Sequence, residues 1–412
     1  MRTSAFLVTL AITATAFAQQ RTELSDLVVE ATRRNPEILA AQKKYEAAGQ
    51  RPTQQRSLPD PMLSAGWNST GNPLPGAGLG RDPVANIGFS ASQQIPYPGK
   101  LRLKGEIASK EAEADAQEFR AASLNVISRL KQAFFRLHHT YVMAEVIERN
   151  RELLRSFLHA TEARYAAGST AQADVFRAQI QLTLVETRLI QLDQDRRASQ
   201  AEINAILNRP TDTEIAQPAD PHGVELTFTQ QELMAKARDA PVLARDQKRI
   251  EGAGTAIQLA RKDSRPDLTL NAGFFTMGTM GEMYSVRADL NIPLRGSRLR
   301  AEVAEKSHEL AGAKASYEAS ARSLEFQIRE GYLAAQTAQR LADLYLNTAL
   351  PQARLTEESA LTAYQSGASD FASVLGNYIA AIDYEMSYHE QVQQFHLALV
   401  RLEEITGVEL IR

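Results

Sequence analysis

The sequence predicts a mainly α-helical fold with a small β part: two copies of one module, each joining a long helical hairpin to a pair of strands. Three observations predict it. Landmark residues recur in the same order at an offset of about 200. Two helical runs of about 66 and 69 residues stand far above ordinary helix length. Four short segments alternate apolar and polar side chains.

In chain order, Arg2 precedes an apolar run from Ala5 to Phe17, and Ala16-Phe17-Ala18 before Gln19 has the small-x-small form of a cleavage site. Residues 1–18 therefore read as a secretory signal peptide, with an apolar run too short to span a bilayer as a helix. No later apolar stretch reaches spanning length. The mature chain is then expected either to be soluble or to cross a membrane as a β-barrel, which also satisfies every backbone group in lipid. The absence of cysteine excludes disulfides, thiolate metal sites, a cysteine nucleophile and a lipid-modified N-terminal cysteine. Lys and Arg number 46, one of them in the signal, against 49 Asp and Glu, which gives no electrostatic case for nucleic acid. Aromatics are only 7%, while Ala, Gln, Glu, Arg and Leu abound, as in long helices.

The first copy spans 19–210, a connector 211–240, and the second copy 241–412. Pro36-Glu37-Ile38-Leu39 with Gln42-Lys43 returns as Pro241-Val242-Leu243-Ala244 with Gln247-Lys248. Pro59-Asp60 with Gly66-Trp67 returns as Pro266-Asp267 with Gly273-Phe274. Ile95-Pro96 with Gly99 returns as Ile292-Pro293 with Gly296, and Tyr165 with Gly168 returns as Tyr364 with Gly367. Each copy reads helix, two strands, long helix, helix. In the first, the helices fall at about 36–57, 101–166 and 171–208, and the strands at about 62–70 and 85–95. In the second, the helices fall at about 241–264, 297–365 and 369–405, and the strands at about 267–277 and 283–292. Pro351 is expected to kink the long helix of the second copy. At 1.5 Å per residue the long helices reach roughly 100 Å. The two shorter helices of each copy sum to nearly the same length, so stacked end to end they match the long one along a rod.

The apolar spacing agrees with a rod. Ile127, Leu130, Phe134, Leu137 and Tyr141 alternate steps of three and four, as do Leu182, Val185, Leu189 and Leu192; this is a coiled-coil seam. In the last helix the seam Leu375, Tyr378, Ile382 continues as Glu385, His389, Val392, His396 and Leu399. Its polar members suggest the wall of a wet channel.

In the fourth strand Tyr284, Val286, Ala288, Leu290 and Ile292 alternate with Ser285, Arg287, Asp289 and Asn291. In the second, Ile87, Phe89, Ala91 and Ile95 alternate with Gly88, Ser90, Ser92 and Gln94, and Gln93 is the exception. Such alternation suits an outer-membrane barrel strand and equally a half-buried strand of a soluble hairpin. Four strands cannot close a water-filled barrel, and lipid forbids open edges. If the strands span a membrane, chains must pool them, and three chains give twelve. The strand pairs are joined by a long Gly/Pro loop (71–83) and a short one (278–282), consistent with external loops.

With these features in place, the sequence resembles the TolC-type outer-membrane efflux factors over nearly all of its mature length. The resemblance rests on Leu58-Pro59-Asp60-Pro61 before the first strand and Arg265-Pro266-Asp267-Leu268 before the third. It rests also on Ile95-Pro96-Tyr97-Pro98-Gly99-Lys100 after the second, and on Tyr165-x-x-Gly168 with Asp174-Val175 and Tyr364-x-x-Gly367 with Val374-Leu375. The Pro-Tyr-Pro-Gly-Lys turn looks like the heavy-metal (cobalt–zinc–cadmium or copper–silver) branch. The resemblance implies a homotrimer, with a twelve-stranded barrel in outer-membrane lipid and a twelve-helix tunnel through the periplasm. It implies docking on a periplasmic membrane-fusion adaptor and a proton-driven (RND-type) inner-membrane pump, and no cofactor. It places the periplasmic tip and adaptor contact at Tyr165, Gly168, Ser169, Tyr364, Gly367 and Ser369. Some family members carry Asp where this chain has Ser373 and Gly376, a departure from the pattern of the acidic ring; Asp174 and Asp370 are the candidates for the entrance gate.

Catalytic chemistry finds no motif. The seven histidines include no His-x-x-x-His pair; His389 and His396 stand two turns apart, and Glu385 with His389, one turn apart, could clasp a metal but reads first as an ordinary i,i+4 pair. There is no phosphate loop and no nucleophile elbow. A passive exit duct of an efflux system is the leading expectation. The alternatives are a soluble periplasmic coiled-coil adaptor or scaffold, a duct for type I protein secretion, and an enzyme on a helical scaffold.

Overall fold

The computed structural model describes residues 21–221 and 226–411; the signal peptide read at 1–18 lies outside them. Ten α-helices and four strands are found among the described residues, and the order helix, strand, strand, helix, helix occurs twice. The chain opens with α1 (Leu24–Arg34), α2 (Pro36–Ala48) and α3 (Arg51–Arg56), followed by β1 (Met62–Asn68) and β2 (Asn86–Ile95). α4 (Lys100–Ala166) and α5 (Gln172–Ile206) form the first long hairpin. After α6 (Gln230–Lys236) come α7 (Pro241–Lys262), β3 (Asp267–Thr276) and β4 (Glu282–Asn291). The second hairpin is α8 (Gly296–Leu344), α9 (Leu350–Gln365) and α10 (Phe371–Thr406).

The 67 residues of α4 make a rod of about 100 Å. α2 and α3 pack along its strand end and α5 along the rest; α7 and α10 share α8 in the same way. The helix expected at 36–57 is two helices. Gly49 and Gln50 interrupt it, and Pro52, which has no N–H to give the preceding turn, sits in the first turn of α3. At Pro351, where a kink is expected, the helical hydrogen bonding changes its spacing. A five-residue π turn, Tyr345–Ala349, absorbs the missing hydrogen bond immediately before it, and the helix continues as α9.

The main core lies in the middle of the rod. Leu130, Phe134, Phe135 and Leu137 of α4 meet Leu27 and Ala31 of α1, Ile203 of α5, Ile328 of α8 and Leu399 of α10. The connector closes over them with Ile215, Leu233 and Ala237. α1 and α6 were not foreseen. Thr229 and Glu232 form a reciprocal capping box at the start of α6, and Asn35 caps α2 by accepting from the amides of Glu37 and Ile38.

The four strands form one antiparallel sheet in the order β1-β2-β3-β4, so among the described residues β1 and β4 are unpaired edges. The registers align apolar residues into rows across it: Leu63, Ala91, Ala272 and Val286 form one, and Ala65, Phe89, Phe274 and Tyr284 the next. Phe274 packs on Phe89 at 5.7 Å and on Tyr284 at 5.4 Å between ring centroids. Among the described residues nothing covers this face: Leu63 is 81% exposed, Tyr284 73% and Val286 87%. Gln93, the exception on that face, donates to the Pro59 carbonyl at 2.8 Å. The Pro-Gly-Lys turn ties sheet to rod. Lys100 is buried, with Nζ 3.0 Å from the Asp267 carboxylate and 3.3 Å from that of Asp263, while the Tyr97 amide donates to Asp267 at 2.7 Å.

Candidate tunnel entrance at the hairpin tips

The helices of both hairpins reverse far from the sheet, and both reversals use the same hydrogen bonds. After α4, Gly168 N–H donates to the Tyr165 carbonyl at 2.9 Å and Ser169 N–H to the Arg164 carbonyl at 2.8 Å. After α9, Gly367 N–H donates to Tyr364 at 3.2 Å and Ala368 N–H to Ala363 at 2.8 Å. Each set is a Schellman closure, which needs a left-handed residue just past the helix. Gly168 and Gly367 supply it at φ 70° and 77°. Neither has a neighbour within 4 Å of where a Cβ would stand, so glycine is required by conformation and not by space.

The two tips meet within the chain, but their tyrosines do not have equivalent roles. Tyr364 lies under the guanidinium of Arg164 from the first hairpin, 4.3 Å from ring centroid to Cζ, and packs against the buried Phe371 at 6.1 Å. Tyr165 is 46% exposed. The offset of 199 between the tyrosines puts Ala363 at the place of Arg164 in the second copy, so the duplication provides no matching clasp for Tyr165. Behind the tips Leu154, Ala178, Phe371, Leu375, Tyr378 and Ile382 form a second apolar cluster. Within it the Tyr378 hydroxyl donates to Asn150 Oδ1 at 2.9 Å across the α4–α10 seam. Burial, then the nearby Glu357 charge, raise that hydroxyl above its ordinary pKa. Arg164 and the Asn150–Tyr378 pair were not singled out from the sequence; a polar residue within an apolar seam was the available signal for the latter.

Both carboxylates expected at the gate, Asp174 and Asp370, have local hydrogen-bond partners. Asp370 is the N-cap of α10 and accepts from the Ser373 amide at 2.8 Å. Asp174, in the first turn of α5, accepts from the Thr170 hydroxyl at 2.7 Å and from Arg177 Nη1 at 3.1 Å. Asp370 is exposed and Asp174 half-buried. Ser369 sits half-buried beside Asp370, and Ser169 is exposed at the first tip.

The polar seam of α10 is packed at its far end and not wet. His396 is buried, at 7% exposure, and stacks on Phe135 at 4.6 Å; burial pushes its imidazole down to about 4. An imidazole kept neutral packs as an aromatic ring, which the sequence pattern alone could not distinguish from a water-facing group. Burial, with the neighbouring His389 and His138, pushes His139 down to about 4 as well. Glu385 pairs with Arg149. Among the described residues no cluster of three His, Asp or Glu side chains is placed to hold a metal ion. Among them, too, no helix is long and apolar enough to cross a membrane, which leaves the exposed sheet face as the apolar feature to be accounted for.

Residues 27–209 match the family model of the outer membrane efflux proteins. The first half of the chain carries the sequence pattern of that family. Over 94% of its length the chain shares its fold with solved outer-membrane and transmembrane-channel proteins. VceC from Vibrio cholerae superposes with a TM-score of 0.79 at 18% identity, covering 94% of this chain and 96% of that one. CusC gives 0.79 at 14% identity, over 94% and 92%. The open state of the MtrE outer-membrane channel of Neisseria gonorrhoeae gives 0.78 at 16% identity, over 94% and 90%. No curated protein matches the chain. The sheet and hairpins described above are therefore the fold of these solved proteins.

Proposed function

We propose that the chain is the outer-membrane exit duct of a tripartite efflux system, working as a homotrimer. The observation that carries this reading is the sheet. It has two unpaired edges and one uncovered apolar face, and neither persists in water without a partner. Pairing β4 of one copy with β1 of the next removes the edges, and three copies make a twelve-stranded barrel whose apolar face meets lipid. The helices all leave from one end of the sheet, and in this reading the rod and its tips lie in the periplasm.

In this reading the tips are the periplasmic entrance. Tyr165, Gly168, Ser169, Tyr364, Gly367 and Ser369 form the surface offered to a periplasmic adaptor, and Asp174 and Asp370 supply threefold carboxylate rings at the constriction. The duct performs no chemistry; an inner-membrane, proton-driven pump supplies the energy. Its cargo is small molecules or metal ions, and the Pro96-Tyr97-Pro98-Gly99-Lys100 turn favours the heavy-metal branch.

Cell fractionation tests the reading directly. The protein is expected in the outer-membrane fraction, to require detergent for release, and to run as a trimer that heat converts to monomer. A stable monomer in the soluble periplasmic fraction would overturn it. Deleting the gene and comparing sensitivity to metal ions, dyes and antibiotics then assigns the cargo.

A further inference from the structure

The two ends of the sheet differ sharply in charge. At the end away from the helices, residues 69–85 and 277–282 contain one basic side chain, Arg81, against Asp82 and Glu282. At the end where strands meet helices, the segments 51–60, 97–106, 261–267 and 294–302 contain eleven basic and five acidic side chains, in a chain of net charge −3. Little of this excess is neutralised locally. Lys100 is held between Asp263 and Asp267, and Arg102 and Arg298 pair with Glu106 and Glu302 one turn on. Among the described residues, Arg56, Lys104, Arg261, Arg265, Arg295 and Arg300 are exposed and make no ion pair.

This basic collar begins where the apolar face stops. Leu290, Ile292 and Leu294, between 60% and 86% exposed, are followed at once by Arg295. A strand of ten residues tilted at about 45° covers roughly 24 Å of height, the apolar band of an outer-membrane barrel. The collar then stands at headgroup depth.

We propose that the collar binds the anionic phospholipid headgroups of the leaflet facing the helices, and so fixes the depth and orientation of the barrel. The proposal rests on the reading of the sheet as part of a membrane barrel. Guanidinium groups pair with phosphate through two parallel hydrogen bonds. A zwitterionic headgroup carries its own cation beside the phosphate and answers the collar less well. Each basic group near an anionic surface strengthens binding by a factor of about five, and salt screens the effect.

The test refolds the full mature chain into vesicles of phosphatidylcholine, alone or mixed equally with phosphatidylglycerol. Heat-sensitive trimers report insertion, and native mass spectrometry of the released protein counts the lipids retained. Wild type is expected to insert into both and, from the mixture, to retain phosphatidylglycerol over phosphatidylcholine by about tenfold at low salt, falling severalfold at high salt. The combined Arg56→Gln, Arg265→Gln, Arg295→Gln and Arg300→Gln variant is expected to insert and lose the preference. Equal retention of the two lipids by inserted wild type, or a preference indifferent to salt, overturns the collar and leaves the barrel standing. So does a preference that survives in the variant. Insertion into neither vesicle overturns both readings. If the variant alone fails to insert, the salt titration of wild type decides.

Discussion

The guanidinium of Arg164 lies over the ring of Tyr364, so one chain joins the tip of its first hairpin to the tip of its second. A cation–π contact between two such half-buried groups contributes on the order of 0.5–2 kcal/mol. If it helps hold the entrance shut, Arg164→Ala and Tyr364→Leu should each raise single-channel conductance in planar bilayers. Combining them should do no more than either alone. Unchanged conductance in both single variants removes the contact from the gate.

Gly168 and Gly367 occupy left-handed conformations with open space around them. A Cβ at either place meets nothing within 4 Å, so the cost of valine is chiefly that of positive φ, at least about 1–2 kcal/mol and more for a β-branched residue. Gly168→Val and Gly367→Val should therefore leave the heat-sensitive trimer in the outer membrane while efflux, read as drug or metal sensitivity, is lost. Transport at the wild-type level would detach the tips from function.

Asp370 has two possible roles, and two substitutions separate them. Asn keeps an oxygen for the Ser373 amide and removes the charge; Ala removes both and costs about 1 kcal/mol as a lost N-cap. If charge repulsion shapes the entrance, Asp370→Asn and Asp174→Asn should both change conductance and cation selectivity without lowering thermal stability. A change confined to Asp370→Ala would mark that residue as a cap only.

Tyr378→Phe deletes one hydroxyl and leaves Asn150 Oδ1 unpaired inside the seam. The cost expected is about 1–3 kcal/mol. It should appear as a lower melting temperature of the detergent-solubilised trimer, and a variant as stable as wild type would show that the contact contributes nothing.

His139 and His396 are held neutral by burial, each with a pKa of about 4 against an ordinary 6.5. Between those values the unfolded chain binds protons that the folded chain does not, so stability falls as pH drops from about 6.5 towards 4 and then levels off. His396→Phe retains the stack on Phe135 and should flatten this part of a stability–pH profile. An equally steep profile in the variant would rule His396 out as a contributor.

The long helices and the alternating strands were legible because their signals are periodic and repeated. The pattern Tyr284, Val286, Ala288, Leu290 read the exposed face of β4 directly, since one face of a strand follows from every second residue. Other features depend on partners distant in sequence. α1 was legible in principle, since Leu24, Leu27, Val28 and Ala31 stand at helical spacing, whereas its packing on α4 and the connector was not. Arg164 acquires its place from a ring 200 positions away. The seam through His396 was misread because a neutral imidazole and a solvated one occupy the same letter; only its packing on Phe135 separates them.

The bare margins of β1 and β4 have a genetic consequence. If sister subunits are what seal them, a copy with a damaged edge strand is not merely inactive. It enters mixed assemblies and spoils them, and with equal expression of good and bad copies only about one trimer in eight would be free of the defect. Mutations along those two strands should therefore behave as dominant poisons in a cell that still carries the intact gene, whereas mutations that prevent export should remain recessive.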